Sequence, residues 1–530
     1  MFFLLNFALV LLFGLSSAIA APAAKPGSLL VKRKSTAMIS TLSTLHTKAH
    51  ATSLKHFTYP AGLELVQVQA GFSTEEALAV YKNDPSIEYA EPNYILHALG
   101  LPNDPYFKNQ WGLHNAGQTG GTIDADINAP LAWDTLTGSN TVVLGIIDTG
   151  FDYTHPDLKN NIWSNSQEIP GNGIDDDKNG YIDDIHGINS ITGTGDPMDD
   201  NHHGTHVAGI IGAEGNNGIG VSGVMQKTKI IACKFLDQDG SGDTASVIAC
   251  MNYFVALAKR SKDPVSVVAT NNSWGGGESS QAFEDTVKEH QKLGILFMAA
   301  ASNEGANNDV TDTFPANISL SNVISVAATD HKDALAYFSN YGKHSVHVAA
   351  PGNQIYSTVP GEKYDYLSGT SMATPFVTGL AGYIKASNPD YDWVSIKNLI
   401  IAGGQPVAAT AQTTISGRRI RISDTNGRGS VSCNNQMVSQ RLLPKTDTVT
   451  IKLGNSIPLS MLKISCAKST QAHVSSKPID VNKGLLNDLG KGSDDLAYDG
   501  VFNGVFKPVM AGSYVLAFPG GDNVTVAVTK

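Results

Sequence analysis

The chain has 530 residues, 42% of them hydrophobic and 16% charged, with a formal net charge of −11. That length exceeds one compact domain and implies two or three folding units. The acidic balance argues against nucleic acid as a partner, which would call for a basic face, and is compatible with solubility and cation binding.

Residues 2–15 form an almost unbroken apolar run, followed by Ser16-Ser17-Ala18-Ile19-Ala20-Ala21. The Ala18-x-Ala20 pattern is read by signal peptidase, so residues 1–20 are expected to leave on secretion to the extracellular space, although no Lys or Arg precedes the run. A span needs about 20 apolar residues, so no membrane association is expected after cleavage.

Residues 27–97 read as a small unit of mixed helix and strand. Segments 27–34 and 62–69 are extended, Ser73-Thr74-Glu75-Glu76 is a capping box opening a helix that ends near Lys82, and 87–96 returns as a strand. From Thr141 onward, short apolar runs at 142–147, 229–235, 265–269, 295–299 and 323–326 have the character of strands buried on both faces. Segments 245–258, 281–293 and 371–386 read as helices. The expectation over 101–437 is therefore a doubly wound α/β domain with a mostly parallel sheet, whose reactive groups gather at the carboxyl ends of strands. Beyond 438 the pattern becomes alternating, at 448–453, 513–518 and 523–528, with a turn signal at 498–504. Residues 438–530 read as a small β-sandwich with a binding or stabilising role.

Four cysteines allow three pairings. Cys233 with Cys250 and Cys433 with Cys466 are favoured, because the first two flank a strand–loop–helix unit and the others lie close together near the C-terminus. Sequons stand at Asn271, Asn317 and Asn523.

Three stretches carry the chemistry: Ile146-Ile147-Asp148-Thr149-Gly150, His203-Gly204-Thr205-His206-Val207-Ala208-Gly209, and Gly369-Thr370-Ser371-Met372-Ala373-Thr374-Pro375. Each sets one reactive side chain among small or apolar neighbours, and the chain order is Asp, His, Ser. The same triad occurs in different orders on unrelated folds, and this order is the subtilisin one. On these motifs the chain resembles the subtilisin-like serine proteases (subtilases) over most of its length. A serine hydroxyl needs an adjacent base, so Ser371 is expected as nucleophile, His203 as general base and acid, and Asp148 as the carboxylate that orients the imidazole. His202 and His206 are expected to be structural: no Glu follows the first His as zinc proteolysis would require.

The resemblance implies more. Residues 85–94, Pro-Ser-Ile-Glu-Tyr-Ala-Glu-Pro-Asn-Tyr, look like the end of an inhibitory propeptide, so 21–100 would be ferredoxin-like, act as intramolecular inhibitor, and be released near 97–101. Asn303 matches the oxyanion-hole asparagine and would act with the Ser371 N–H. Protein or peptide substrates would lie extended against Asn272-Ser273-Trp274-Gly275-Gly276, with Ala300, Ala301 and Ser302 as the facing wall of the specificity pocket and Thr313 as its floor. The absence of an acidic residue at these positions implies a preference for apolar side chains. The enzyme is expected to act as a monomer.

Two calcium sites are expected. Asp104, Asp157, the Asn217 side chain and the carbonyls of Gly215, Ile219 and Val221 resemble the family's strong Ca²⁺ site. Asp175, Asp177, Asn179, Gly180 and Tyr181 reproduce the opening of an EF-hand loop, but His186 stands where the closing Glu belongs, so Asp183 or Asp184 would complete the sphere. Two other functions are weaker readings: a non-catalytic binding protein is disfavoured by the full set of reactive residues, and a lipase or esterase by the chain order.

Overall fold

The structure, a computed structural model, describes residues 24–37, 39–94, 100–422, 437–465, 478–492, 494 and 496–530. The apolar leader and both Cys433 and Cys466 lie outside the described residues. The chain divides into two compact units, Met1–Ala98 and Leu99–Lys530.

In the first unit, β1 (Ala24–Arg33), α1 (Ile39–Lys48), β2 (Ala51–His56), β3 (Leu63–Val68), α2 (Thr74–Lys82) and β4 (Ile87–Tyr94) follow in order. The strands pair antiparallel as β2-β3-β1-β4, the ferredoxin-like arrangement. Ser73 caps α2, accepting from the Glu76 N–H, while its hydroxyl donates to Glu75. The core is Leu29, Val31, Leu42, Leu45, Val66 and Tyr81 among others. Helix α1 and strand β2 are absent from the sequence reading; both are rich in Ser, Thr and Lys, and β2 buries only Ala51.

The second unit is built on α3 (Ala129–Trp133), β5 (Gly138–Asp148), β6 (Gly187–Asn189), α4 (His203–Gly212), β7 (Lys227–Lys234), α5 (Thr244–Lys259), β8 (Val267–Asn272), α6 (Gln281–Lys292), β9 (Leu296–Ala300), β10 (Val323–Thr329), β11 (Val348–Pro351), β12 (Ile355–Val359), β13 (Lys363–Leu367), α7 (Thr370–Ser387), α8 (Trp393–Gly403), β14 (Gln405–Pro406) and β15 (Arg418–Arg419). The main sheet has the order β14-β15-β11-β10-β9-β8-β5-β7-β6 and is parallel except at the β14–β15 edge. Alternate residues of β5 serve its two faces. Leu144 and Ile146 pack with α4, α7 and α8, whereas Val143 and Ile147 pack with α5 and α6. Burial on both faces is why these strands read as unbroken apolar runs. Cys233 on β7 and Cys250 on α5 form a disulfide, the pairing expected.

The tail forms β16 (Met437–Leu443), β17 (Thr448–Lys452), β18 (Ile457–Ser465), β19 (Ile479–Asp480), β20 (Leu485–Leu486), β21 (Val501–Phe506), β22 (Gly512–Ala517) and β23 (Asn523–Thr529). Two three-stranded sheets, β16-β18-β21 and β17-β23-β22, enclose a core that includes Leu459, Met461, Phe502, Leu516, Phe518 and Val526. Val438, Leu462 and Ile464 instead join the core beneath α8, so the tail packs on the parallel-sheet domain as part of the same compact unit.

Candidate active site

Strand β5 ends at Asp148 and helix α4 begins at His203. Two glycines let these ends meet. A Cβ on Gly204 would lie 1.9 Å from the Gly150 carbonyl oxygen, and Gly150 itself has φ +89°, with Pro197 O 2.1 Å from where its Cβ would stand. Asp148 is fully buried, and its Oδ1 accepts from His203 Nδ1 at 2.7 Å and from the Thr149 N–H at 2.7 Å. A carboxylate can only accept, so the Nδ1 proton is fixed and Nε2 is left as the basic nitrogen. The His203 side chain is 25% exposed, at a cleft edge. Burial opposes its protonation, but the charge and hydrogen bond of Asp148, then the charge of Asp199, outweigh that and raise its pKa above 6.5.

Asp199 was missed in the sequence. Its carboxylate takes five hydrogen bonds: from Thr149 Oγ1, the Asn201 and His202 N–H groups, and the N–H and Oγ1 of Thr205. It thereby ties the residue after Asp148 to the turn and first residues of α4, and holds His202 at φ +147°. The only sequence signal is an acidic residue four places before a histidine.

Ser371 is the second residue of α7, so its N–H is unpaired within the helix. Pro375, four residues on, cannot donate to the Ser371 carbonyl. Ser273 Oγ donates to it instead at 2.8 Å, and the Ser371 Oγ in turn donates to the Ser273 carbonyl at 3.0 Å. This reciprocal pair holds the hydroxyl against the end of β8, where its proton is parked on Ser273. Asn303 faces the same helix start. Its Oδ1 accepts from the Thr370 N–H (2.8 Å) and Thr370 Oγ1 (3.1 Å), and an N–H donor there fixes the amide oxygen, so Nδ2 is presented outward as a donor.

The residues expected to face substrate divide by what they touch. Ser273 anchors Ser371. The Trp274 ring packs on Phe235 and Phe283. Gly275 is exposed, and a Cβ there would lie 3.2 Å from Phe314 O and 3.6 Å from Ser302 Oγ, which places the two walls face to face. Ala301 is fully buried, with its N–H on Val326 O and its carbonyl taken by Asn308 Nδ2, so it underlies the wall. Ser302 forms the surface in a left-handed conformation (φ +91°), held by Thr370 Oγ1 and by the Asn340 N–H. Thr313 Oγ1 donates to Asn308 Oδ1. His206 is buried, its Nε2–H donates to the backbone carbonyls of Ile355 and Asp365, and burial pushes its pKa down to about 3. Asn271 is also buried, bonded to Ser273 and Thr378, which leaves no room for a glycan at that sequon.

Both acidic loops assemble. Asp104 accepts from the Asn216 and Asn217 N–H groups, and Asp157 from the Val221 N–H, which brings both carboxylates to the 215–221 loop. Asp157 is fully buried, and burial first, then like charge from Asp104, pushes it up to about 6. A buried carboxylate pair with oxygen-rich neighbours fits a hard cation. Asn217 turns Nδ2 toward Asp157 and its oxygen toward the Ile219 N–H, so its ligand oxygen would require a side-chain rotation.

In the second loop, Glu168, Asp177 and Asp184 bring carboxylate oxygens within 4.8 Å of one another. Asp184 is pushed up to about 6, mainly by burial. Asp175 stands outside that group and binds the Asn179 and Gly180 N–H groups, Asn179 donates to Asp184, and the Tyr181 N–H bonds Asn179 Oδ1. Glu168, outside the EF-like spacing, was not anticipated. A third group, Asp488, Asp494 and Asp499, meets in the tail beside Lys397.

A model of the Subtilase family matches residues 139–417, and one of the Fervidolysin N-terminal prodomain matches 18–93. The chain is 37% identical over 318 residues to Subtilisin-like protease 1 of Plasmodium vivax, covering 56% of this chain and 48% of that protein. It is 37% identical over 313 residues to Thermophilic serine proteinase of Bacillus sp. (strain AK1), covering 59% of this chain and 66% of that one. Thermitase of Thermoactinomyces vulgaris is 35% identical over 284 residues, 53% of this chain and 85% of thermitase. The chain thus spans about half the length of the Plasmodium relative. The family match covers more than half of the chain and contains β5, α4 and the start of α7, the three elements that converge on the cleft; the chain belongs to the subtilase family.

Proposed function

We propose that the chain is a secreted serine endopeptidase, made as a zymogen that processes itself. The observation that carries this reading is the 2.7 Å bond between His203 Nδ1 and buried Asp148, which leaves Nε2 free to act as a base. In the reaction, the Ser371 hydroxyl leaves the Ser273 carbonyl, passes its proton to His203 Nε2 and attacks the scissile carbonyl carbon. The oxyanion of the tetrahedral intermediate is met by the Ser371 N–H and Asn303 Nδ2. His203 returns the proton to the leaving amine, the C–N bond breaks, and an acyl-enzyme remains. Water then attacks with His203 again as base, releasing the acid and restoring Ser371.

The small residues of the two pocket walls suit medium or large apolar side chains. Residues 21–100 are read as the inhibitor that fills the groove until cleavage near 97–101, supported by the prodomain match. Calcium, when bound, supplies the positive charge that the buried carboxylates of the two loops lack; Asp104, Asp157 and the 215–221 loop, and Glu168, Asp177 and Asp184, would hold it. Among the described residues no helix is long and apolar enough to cross a membrane. A serine-directed fluorophosphonate combined with casein hydrolysis tests the reading. Labelling with casein cleavage is expected; labelling without proteolysis would indicate an esterase, and no labelling a binding protein.

A further inference from the structure

The floor loop of the specificity pocket, 307–318, touches both walls. The Phe314 carbonyl accepts from the Gly276 N–H at 3.0 Å on one side. On the other, buried Asn308 accepts from Thr313 Oγ1 at 3.1 Å and donates to the Ala301 carbonyl at 3.0 Å. A shift of this loop therefore moves the floor and both walls together.

The back of the loop is held by the C-terminal strands. Lys445, just after β16, donates to Asp312 Oδ1 at 2.5 Å, and the same carboxylate oxygen accepts from Asn317 Nδ2 within the loop. Arg441, on β16 and 1% exposed, provides the second hold. Its carbonyl lies 2.7 Å from His344 Nδ1 and its guanidinium 3.3 Å from His344 Nε2, while the His344 N–H donates to Asp309 in the loop at 3.0 Å. The remaining guanidinium donors go to Asp522, Asp447 and the carbonyls of Pro444 and Thr446, so Arg441, on one sheet of the tail, is tied to the loops that lead into β17 and β23 of the other. A cleft of about 240 Å³, lined by Asn317, Ser319, His344, Lys445 and Ser460 among others, runs along this junction. On its inner side the loop is anchored in the core by Phe314, Ala316 and Ile318; on the tail side, across this cleft, the contacts at Asp312 and Asp309 are polar.

We propose that Arg441 and Lys445 are positioning residues for the specificity pocket: the C-terminal strands set the place of the 307–318 loop and hence which side chains the pocket accepts. This inference rests on the endopeptidase reading. It assigns the tail a part in substrate selection, acting through the loop with no substrate contact of its own.

The test uses the full chain with Lys445→Ala and Arg441→Lys. The readout is the ratio of kcat/KM for two peptides that differ only in a large or small apolar residue before the scissile bond. Rates are normalised to fluorophosphonate-titrated sites, so loss of folded enzyme cancels. Lys445→Ala should change the ratio about two- to fivefold, as suits a partly exposed ion pair. Arg441→Lys should change it more, because a lysine cannot reproduce the forked contacts. Reversing the pair, Lys445→Asp with Asp312→Lys, should restore the ratio that Lys445→Asp alone disturbs. A ratio unchanged in both single variants overturns the proposal, and if Arg441→Lys does not fold, Lys445→Ala decides alone. Should the parent chain neither label nor cleave, the endopeptidase reading fails, and hydrogen exchange in a Ser371→Ala background decides the grip itself. Faster exchange at 307–318 on Lys445→Ala supports it, and unchanged exchange refutes it.

Discussion

Around His203, one oxygen of buried Asp148 takes the ring N–H while Asp199 binds the flanking chain through five hydrogen bonds; around Ser371, the hydroxyl rests on a backbone carbonyl of Ser273. The imidazole is thus fixed in one tautomer, whereas on the endopeptidase reading the Ser371 hydroxyl must give up one hydrogen bond to reach it. The difference has a cause in the chain. Asp148 and His203 sit at the ends of a strand and a helix brought together by Gly150 and Gly204, with no freedom left over. Ser371 keeps one rotatable hydroxyl, steadied by a carbonyl contact that Pro375 makes possible from the other direction by leaving the Ser371 carbonyl to Ser273 Oγ.

Removing the hydroxyl altogether gives the largest expected effect. Ser371→Ala should lower turnover by about 10⁶-fold, the scale set by subtilisin, and mapping of the secreted form should find residues 21–100 still attached. On the same side, Asn303→Ala should cost about 10²–10³ in kcat with little change in KM, again on the subtilisin scale. Thr370→Val, which removes the hydroxyl that orients Asn303 but keeps its shape, should cost less, about tenfold in kcat by loss of one hydrogen bond. The imidazole side answers to pH. Only neutral His203 can take the serine proton, so kcat/KM should rise with pH through an inflection above 6.5, the direction set by Asp148 and Asp199 against burial. Asp199→Asn keeps the hub's shape and removes one raising charge, so that inflection should move down; an unmoved inflection would make Asp199 a purely structural clamp. Smallest, and outside the cleft, EDTA should lower the melting temperature by a few degrees if the acidic loops bind calcium, through loss of mass-action stabilisation of about 2.7 kcal/mol at a hundredfold excess over Kd. An unchanged melting curve would remove calcium from both loops.

Much of this was legible in the sequence because it is local. The strand runs flanking Asp148 and Asn303, the Gly-Ala-rich helix after His203 and the helix opening at Ser371 each announce themselves within ten residues, and the parallel sheet follows from strands buried on both faces. Alternation alone places tail strands at 448–453, 513–518 and 523–528, within a residue of those at 448–452, 512–517 and 523–529. What escaped depends on tertiary context. Helix α1 has a sequence dominated by Ser and Thr and is helical because Leu42 and Leu45 are buried against the sheet. The β12–β13 hairpin carries mixed polar residues and is held by Ser357 and Thr358 bonding back to α4. Asp199 and Glu168 look like ordinary acidic loop residues, and only the fold shows one bonded to the first turn of the helix that begins at His203 and the other grouped with Asp177 and Asp184. The Ser273–Ser371 pair spans 98 residues and could not be read from either motif alone.

The rate of fluorophosphonate labelling against pH, in the parent chain and in His203→Ala, tests the shared base most directly. A hydroxyl activated across the cleft should be modified at Ser371 alone, faster as pH climbs past 6.5, and almost not at all without the imidazole. Modification at another residue, or at Ser371 with equal speed in the His203→Ala chain, would contradict it.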